Sequence, residues 1–203
     1  MAVSPDNPLR LVGIPRSVYE QAVKYPYFAC MKLLIRPEKA ADKAAVYALH
    51  AAAFEQENES RLVDLLRESE HYIPELSLVA ELNGDIVGHI LFTKLKIAAD
   101  NGQVFGSLAL APMAALPVLQ YSGIGSQLMH DGLKAAKELG YGSVIVLGHA
   151  QYYPKFGFAP ASRWGITTAY EVPDENFMAL ELQPGALEGV SGRVIYPAGF
   201  DQV

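Results

Sequence analysis

Cysteine is nearly missing: Cys30 stands alone among 203 residues, so an internal disulfide is excluded and the chain suits a reducing cytoplasm. Positive charge is short as well. Sixteen Lys and Arg face 22 Asp and Glu, a net charge of −6, which argues against nucleic acid as a bulk partner because phosphate binding needs a basic face. No apolar run reaches the roughly 18 residues that a membrane span requires. The five histidines, His50, His71, His89, His130 and His149, fall far apart without H-x-x-x-H spacing, and a single cysteine forms no C-x-x-C, so no metal site is expected. Internal repeats and low-complexity segments are absent too.

What is present is a core. Hydrophobic residues make up 51% and charged ones 19%, the balance of a folded globular protein of one domain. Residues 1–30 read differently: Pro5, Pro8, Pro15 and Pro26 alternate with scattered charges, leaving no apolar stretch of signal-peptide length. Ser17 to Tyr25 fits a short helix with Ser17 as cap and Glu20 three residues on. Met31, just ahead of the strand-like Leu33-Leu34-Ile35, is a candidate alternative start. The expected division is an N-terminal extension, 1–30, and one domain, 31–203, from which the extension is dispensable.

The most informative stretch is Gln120-Tyr121-Ser122-Gly123-Ile124-Gly125. It follows the apolar run Leu108–Leu116 and opens a helical stripe through Ile124, Leu128, Gly132, Ala135, Ala136 and Leu139. A glycine-rich helix start aims unpaired N–H groups and the positive dipole end at one spot, a geometry that binds phosphate. The dinucleotide fingerprint would need a glycine where Leu128 stands. A P-loop would need Gly-Lys-Ser/Thr where the chain has Gly125-Ser126-Gln127. A helix start with glycines for packing alone is the bland alternative.

A second segment, Tyr152-Tyr153-Pro154-Lys155-Phe156-Gly157-Phe158, follows the strand-like Ser143–Leu147. Q-x-x-G-x-G and, one helix and one strand later, Tyr-x-x-x-Gly-Phe together resemble the GNAT superfamily of N-acetyltransferases. The Y-Y-x-x-F-G-F form, with Asn176–Leu182 and the ending Gly192–Pro197, is similar to its YhbS-type branch. The resemblance covers roughly Leu33 to Phe200. It implies a mixed α/β (α+β) fold with a mostly antiparallel sheet, splayed at a cofactor cleft and flanked by helices. It also implies acetyl-CoA as co-substrate, with the pyrophosphate held by Gln120, Tyr121, Ser122, Gly123, Ile124, Gly125 and Ser126. Met113, Ala114 and Ala115 are implied along the pantetheine arm, and Tyr153 as general acid. Tyr152 is assigned to the core, with a satisfied hydroxyl.

The element order expected from the residues is β-α-α-β-β-β-α-β-α, then short strands at Ile166–Ala169, Met178–Leu182 and Arg193–Ile195. Asp42 is expected to cap the first helix, the second spans about Glu59–Glu70, and Asn83-Gly84 makes a tight hairpin. Pro112 and Pro117 fit where the strand bends from its neighbour.

Direct transfer to an amine also needs a base, and Glu55, Glu57, Glu59, Glu81, His149 and a water relay all stay open. Cys30 lies outside the matched region, so a covalent acyl-cysteine has no support. The family's usual Lys or Arg beside the motif glycines is replaced by Tyr121 and Ser122, and no Lys or Arg occurs from Pro112 to Leu133. The expected reaction moves acetyl to a primary amine on a small molecule or peptide. A non-catalytic acyl-CoA sensor and a longer-chain acyltransferase are the alternatives, and a homodimer is compatible with the chain.

Overall fold

A computed structural model describes residues 33–202. The extension 1–30, its Ser17–Tyr25 helix, Cys30 and Met31 lie outside the described residues. The elements are β1 (Leu33–Pro37), α1 (Lys43–Phe54), α2 (Asn58–Arg67), β2 (Tyr72–Leu82), β3 (Asp85–Ala98), β4 (Val104–Ala115), α3 (Ile124–Glu138), β5 (Ser143–Leu147), β6 (Ala159–Pro160), β7 (Ile166–Thr167), β8 (Phe177–Glu181) and β9 (Gly192–Ile195). They build one sheet in the order β1-β2-β3-β4-β5-β8-β6, with β9 pairing β3 and β7. Among the described residues only β4–β5 and β7–β9 run parallel. This is the mixed, mostly antiparallel sheet that the sequence implied. The helix expected after β5 is a single 3-10 turn, Tyr153–Phe156.

Alternation along β3 divides the core between two faces. Ile90 and Phe92 turn toward α3, whose Ile124, Leu128, Met129 and Ala136 bury against them and against Leu108 and Leu110. Gly132 lets the helix settle there, since a Cβ on it would lie 2.5 Å from Phe92 Cε2. On the opposite face, Leu91 packs with Val46, Leu62, Val63 and Leu66 of α1 and α2. Leu95 and Ile97 pack with Ala161, Ile166 and Phe177 from the segment after β5. Asn83 (φ 53°) and Gly84 (φ 89°) make the expected left-handed turn between β2 and β3.

Asp42 corrects the capping expectation. No side chain caps α1; the Asp42 carboxylate instead accepts from Lys39 N–H at 2.7 Å and from Arg36 at 2.6 Å. It is spent on the preceding 3-10 turn and on an ion pair with β1.

Beneath α1 and α2 runs a buried polar chain. His50 Nε2 lies 2.9 Å from His89 Nδ1, and His89 Nε2 lies 3.0 Å from Ser77 Oγ. Ser77 Oγ donates to Glu38 at 2.6 Å, and Arg67 pairs with Glu38. Burial works against ionised Glu38, but His89, Ser77 and Arg67 outweigh it and hold its carboxyl at about 2. Burial pushes His50 down to about 2, with neighbouring His89 and the Arg67 charge adding to it, and burial lowers His89 as well.

Acid should therefore loosen the fold. Histidines kept neutral when folded bind protons only when unfolded, so their stability is full above the ordinary pKa of ~6.5 and is lost as pH falls below it. At about 1.36 kcal/mol per pH unit, His50 alone accounts for about 2 kcal/mol at pH 5. Glu38 acts in the same direction lower down, as pH drops from 4.5 toward about 2. Urea unfolding should show a clearly lower midpoint at pH 5 than at pH 7. A flat midpoint would mean that the folded protein protonates these histidines freely.

Candidate active site

The site begins where two parallel strands part. β4 and β5 pair only at Leu108–Val144 and Ala109–Ile145, pinned by Ser107 Oγ, 2.7 Å from Ser143 Oγ. From Leu110 to Ala115, β4 continues with β3 on one edge and no partner strand on the other. A register shift separates Phe92 from Ile90 opposite Ala111 and Pro112, so Pro112 stands at the bend as expected. Pro117 opens the 3-10 turn Pro117–Leu119 that leads into α3. Leu116 N–H donates to Val87 O at 2.9 Å. By the alternation of a strand, the amides of Met113 and Ala115 then face the open edge. Met113 pairs with Ile90 on the α3 face, and Ala114 pairs with His89 on the α1 and α2 face.

At the end of that edge lies an uncapped helix start. Gly123 precedes α3 at φ 95° with no side-chain cap, and Gln127 N–H is the first to bond back, to Gly123 O at 3.0 Å. The amides of Ile124, Gly125 and Ser126 thus have no intrahelical acceptor. Tyr121 adopts φ 63° and is fully exposed. Ser122 Oγ is occupied by Leu119 O at 2.5 Å, and Gln120 is exposed. A Cβ on Gly125 would stand 3.1 Å from Tyr152 Oη and 3.9 Å from Met113 Cε. Three residues from three elements converge there.

The two tyrosines exchange the surroundings that the sequence assigns them. Tyr152, expected as the satisfied core residue, is not one. Half-buried, it hangs its Oη over the helix start, where no partner meets full hydrogen-bond geometry; burial raises its pKa and a looser contact with Ser126 opposes the rise. Tyr153 is the core residue, 9% exposed, edge-on to Phe158 at 5.6 Å. Its ring covers Gly148, where a Cβ would collide with Cε2. Asn176 clamps that glycine from both sides: its O accepts Gly148 N–H at 2.8 Å, and its Nδ2 donates to Gly148 O at 2.8 Å. Burial, then the neighbouring Tyr152, push the Tyr153 phenol up to about 12.

The sequence also missed a cation here. Lys155 Nζ lies 5.8 Å from the Tyr152 ring centroid, placed by a turn that periodicity does not reveal. Among the base candidates, Glu57 pairs with Arg61 at 2.8 Å, Glu59 accepts from Gln56 at 3.1 Å, and Glu81 pairs with Arg36 at 2.7 Å. Glu55 and His149 are exposed. Among the described residues no group of three His, Cys, Asp or Glu side chains converges as a metal site would require, and no helix is long and apolar enough to cross a membrane.

Known proteins share this architecture. A family model described as an acetyltransferase (GNAT) domain matches residues 34–161. The uncharacterized N-acetyltransferase YjhQ of Escherichia coli K12 is 37% identical over 156 residues, 73% of this chain and 84% of that protein. The uncharacterized N-acetyltransferase YhbS of the same strain is 31% identical over 171 residues, 84% of this chain and 99% of that protein. The crystal structure of E. coli YhbS in complex with CoA aligns with TM-score 0.78 and 29% identity, covering 85% of this chain and 93% of that one. A GNAT acetyltransferase from Brucella melitensis in complex with acetyl-CoA aligns with TM-score 0.69 and 31% identity, covering 84% and 99%. Fold and matches together define an N-acetyltransferase. The chain belongs to the GNAT family, alongside YjhQ and YhbS.

Proposed function

We propose that the protein moves an acetyl group from acetyl-CoA to a primary amine by direct attack within a ternary complex. The observation that carries this is the convergence of the open β4 edge, the uncapped start of α3 and the Tyr152 hydroxyl within one turn of helix. A strand with unpaired amides matches the peptide-like pantetheine arm, and bare helix amides match a pyrophosphate. The space over Gly125 that a side chain would fill fits such a group. Met113 and Ala115 hold the arm through backbone N–H and C=O, with Ala114 beside them. The segment Gln120 to Ser126 cradles the phosphates, with Tyr152 and Lys155 added from the turn after β5.

Tyr153 supplies the proton for the departing thiolate. With a pKa near 12 it stays protonated at neutral pH, and a phenol can donate to a thiolate leaving a site poor in water. The acceptor comes from the α1 and α2 side, where Glu55 and Glu57 of the connecting turn and Glu59 of the first turn of α2 favour a cationic amine in solution.

Calorimetric titration with acetyl-CoA, followed by a panel of amines read by thiol release, tests this reading. Saturable binding and turnover of at least one amine are expected. Binding without turnover on any amine would turn the protein into an acyl-CoA sensor. Absence of binding would remove the cofactor from the cleft.

A further inference from the structure

We infer that His50 is the base that takes the proton of the acceptor amine, and that His89, Ser77 and Glu38 hold it in the proton-accepting tautomer. This rests on the N-acetyltransferase reading above and supplies the group that reading lacks.

The hydrogens can be assigned from the carboxylate end. Glu38, paired with Arg67, is an acceptor only, so the single Ser77 hydrogen goes to it at 2.6 Å. Ser77 Oγ must then accept from His89 Nε2–H at 3.0 Å. A neutral imidazole with Nε2–H carries its lone pair on Nδ1. His50 Nε2–H therefore donates to His89 Nδ1 at 2.9 Å, and the lone pair of His50 is left on Nδ1. That atom is buried and has no partner, in a residue with no exposed surface. The unpaired Nδ1 is the open end of the chain, a free acceptor where the other nitrogens of the pair are engaged.

Position agrees with the role. α1 lies across β3 and β4, and His89 is the register partner of Ala114 on the strand with the open edge. The chain thus approaches β4 from the face opposite α3, the side left to the acceptor. Phe54 stacks on His50 at 6.0 Å, with planes 9° apart, and is itself 40% exposed. It is followed by Glu55 at φ 57°, the turn into the acidic loop. Phe54 is thus the ring that stands beside His50 next to that loop.

The step balances. The amine nitrogen forms a bond to the acetyl carbon while its proton goes to His50 Nδ1. The Nε2 proton of His50 moves to His89 Nδ1, placing the cation on His89, 3.7 Å from the Glu38 carboxylate. The C–S bond breaks as Tyr153 protonates sulfur; after the product leaves, His89 Nδ1 returns its proton to His50 Nε2, His50 Nδ1 releases the amine's proton to solvent, and Tyr153 takes one proton back. The charged groups facing His50 are His89 from β3, Glu38 from the segment after β1 and Arg67 from α2. Burial first, then His89 and Arg67, lower the basicity of His50 while Glu38 raises it, so the ring is neutral at working pH.

The test compares wild type with His50→Gln and Ser77→Ala by kcat, KM, pH profile and acetyl-CoA affinity, and adds 15N NMR of the wild-type imidazoles. His50→Gln should lose roughly 10²–10³-fold in kcat with acetyl-CoA affinity within a few-fold. Ser77→Ala should lower kcat without moving KM and shift the pH profile. The His50 spectrum should show a neutral Nε2–H ring. Folded His50→Gln with kcat within a few-fold of wild type would overturn the assignment. If that variant does not fold, a wild-type His50 protonated on Nδ1 overturns it equally. Wild type that binds acetyl-CoA yet acetylates no amine would instead bring down the N-acetyltransferase reading, and this one with it.

Discussion

Tyr153→Phe lowers turnover by roughly 10²–10⁴-fold, the range for a positioned acid, while acetyl-CoA affinity stays within a few-fold. The substitution deletes one hydroxyl and leaves the ring that packs on Gly148 and Phe158, so the turn after β5 keeps its shape. The surfaces proposed for the arm and the phosphates belong to β4, α3, Tyr152 and Lys155 and lose nothing. What goes is the proton held by a buried phenol of pKa about 12. A thioester whose thiol is more acidic needs that proton less, so the deficit should shrink with such a donor. Steady-state kinetics beside calorimetry reads both quantities. Full turnover in the phenylalanine variant would strip Tyr153 of the role.

Gly125→Val abolishes measurable acetyl-CoA binding and leaves a folded protein. The new Cβ would lie 3.1 Å from Tyr152 Oη and 3.9 Å from Met113 Cε, so the added methyls must displace one side or cover the bare amides of Ile124, Gly125 and Ser126. Valine is no worse a helix former than glycine, so the melting temperature should hold. Titration calorimetry with a thermal melt separates the two effects. Unchanged affinity would take the cofactor away from these residues.

Much of this arrangement is legible in the order of the residues alone. The period of α3, the Asn83-Gly84 turn and the strand leading to Gln120 are local signals, and each marks its element. The site is legible where chemistry and chain order coincide, as at Gln120 to Gly125. It is not legible where partners are far apart in sequence. His50 and His89 stand 39 positions apart, and the absence of short His spacing conceals that they touch. The tyrosine pair misleads for a related reason: in a 3-10 turn adjacent side chains diverge, so spacing alone does not say which ring is packed and which hydroxyl reaches α3. Asp42 resembles a helix cap because its real partner, Arg36, lies on β1.

The two rungs between β4 and β5, with the serine pair below them, form a seam stitched at one end only. Everything above the last stitch is unfinished sheet, and an extended ligand with amides of its own would complete it from the open end toward the stitch. Such a ligand would serve as both cargo and missing strand. A substitution at Ser107 or Ser143 would then bear on how wide that gap rests before the guest arrives, though neither residue lies in the cleft itself.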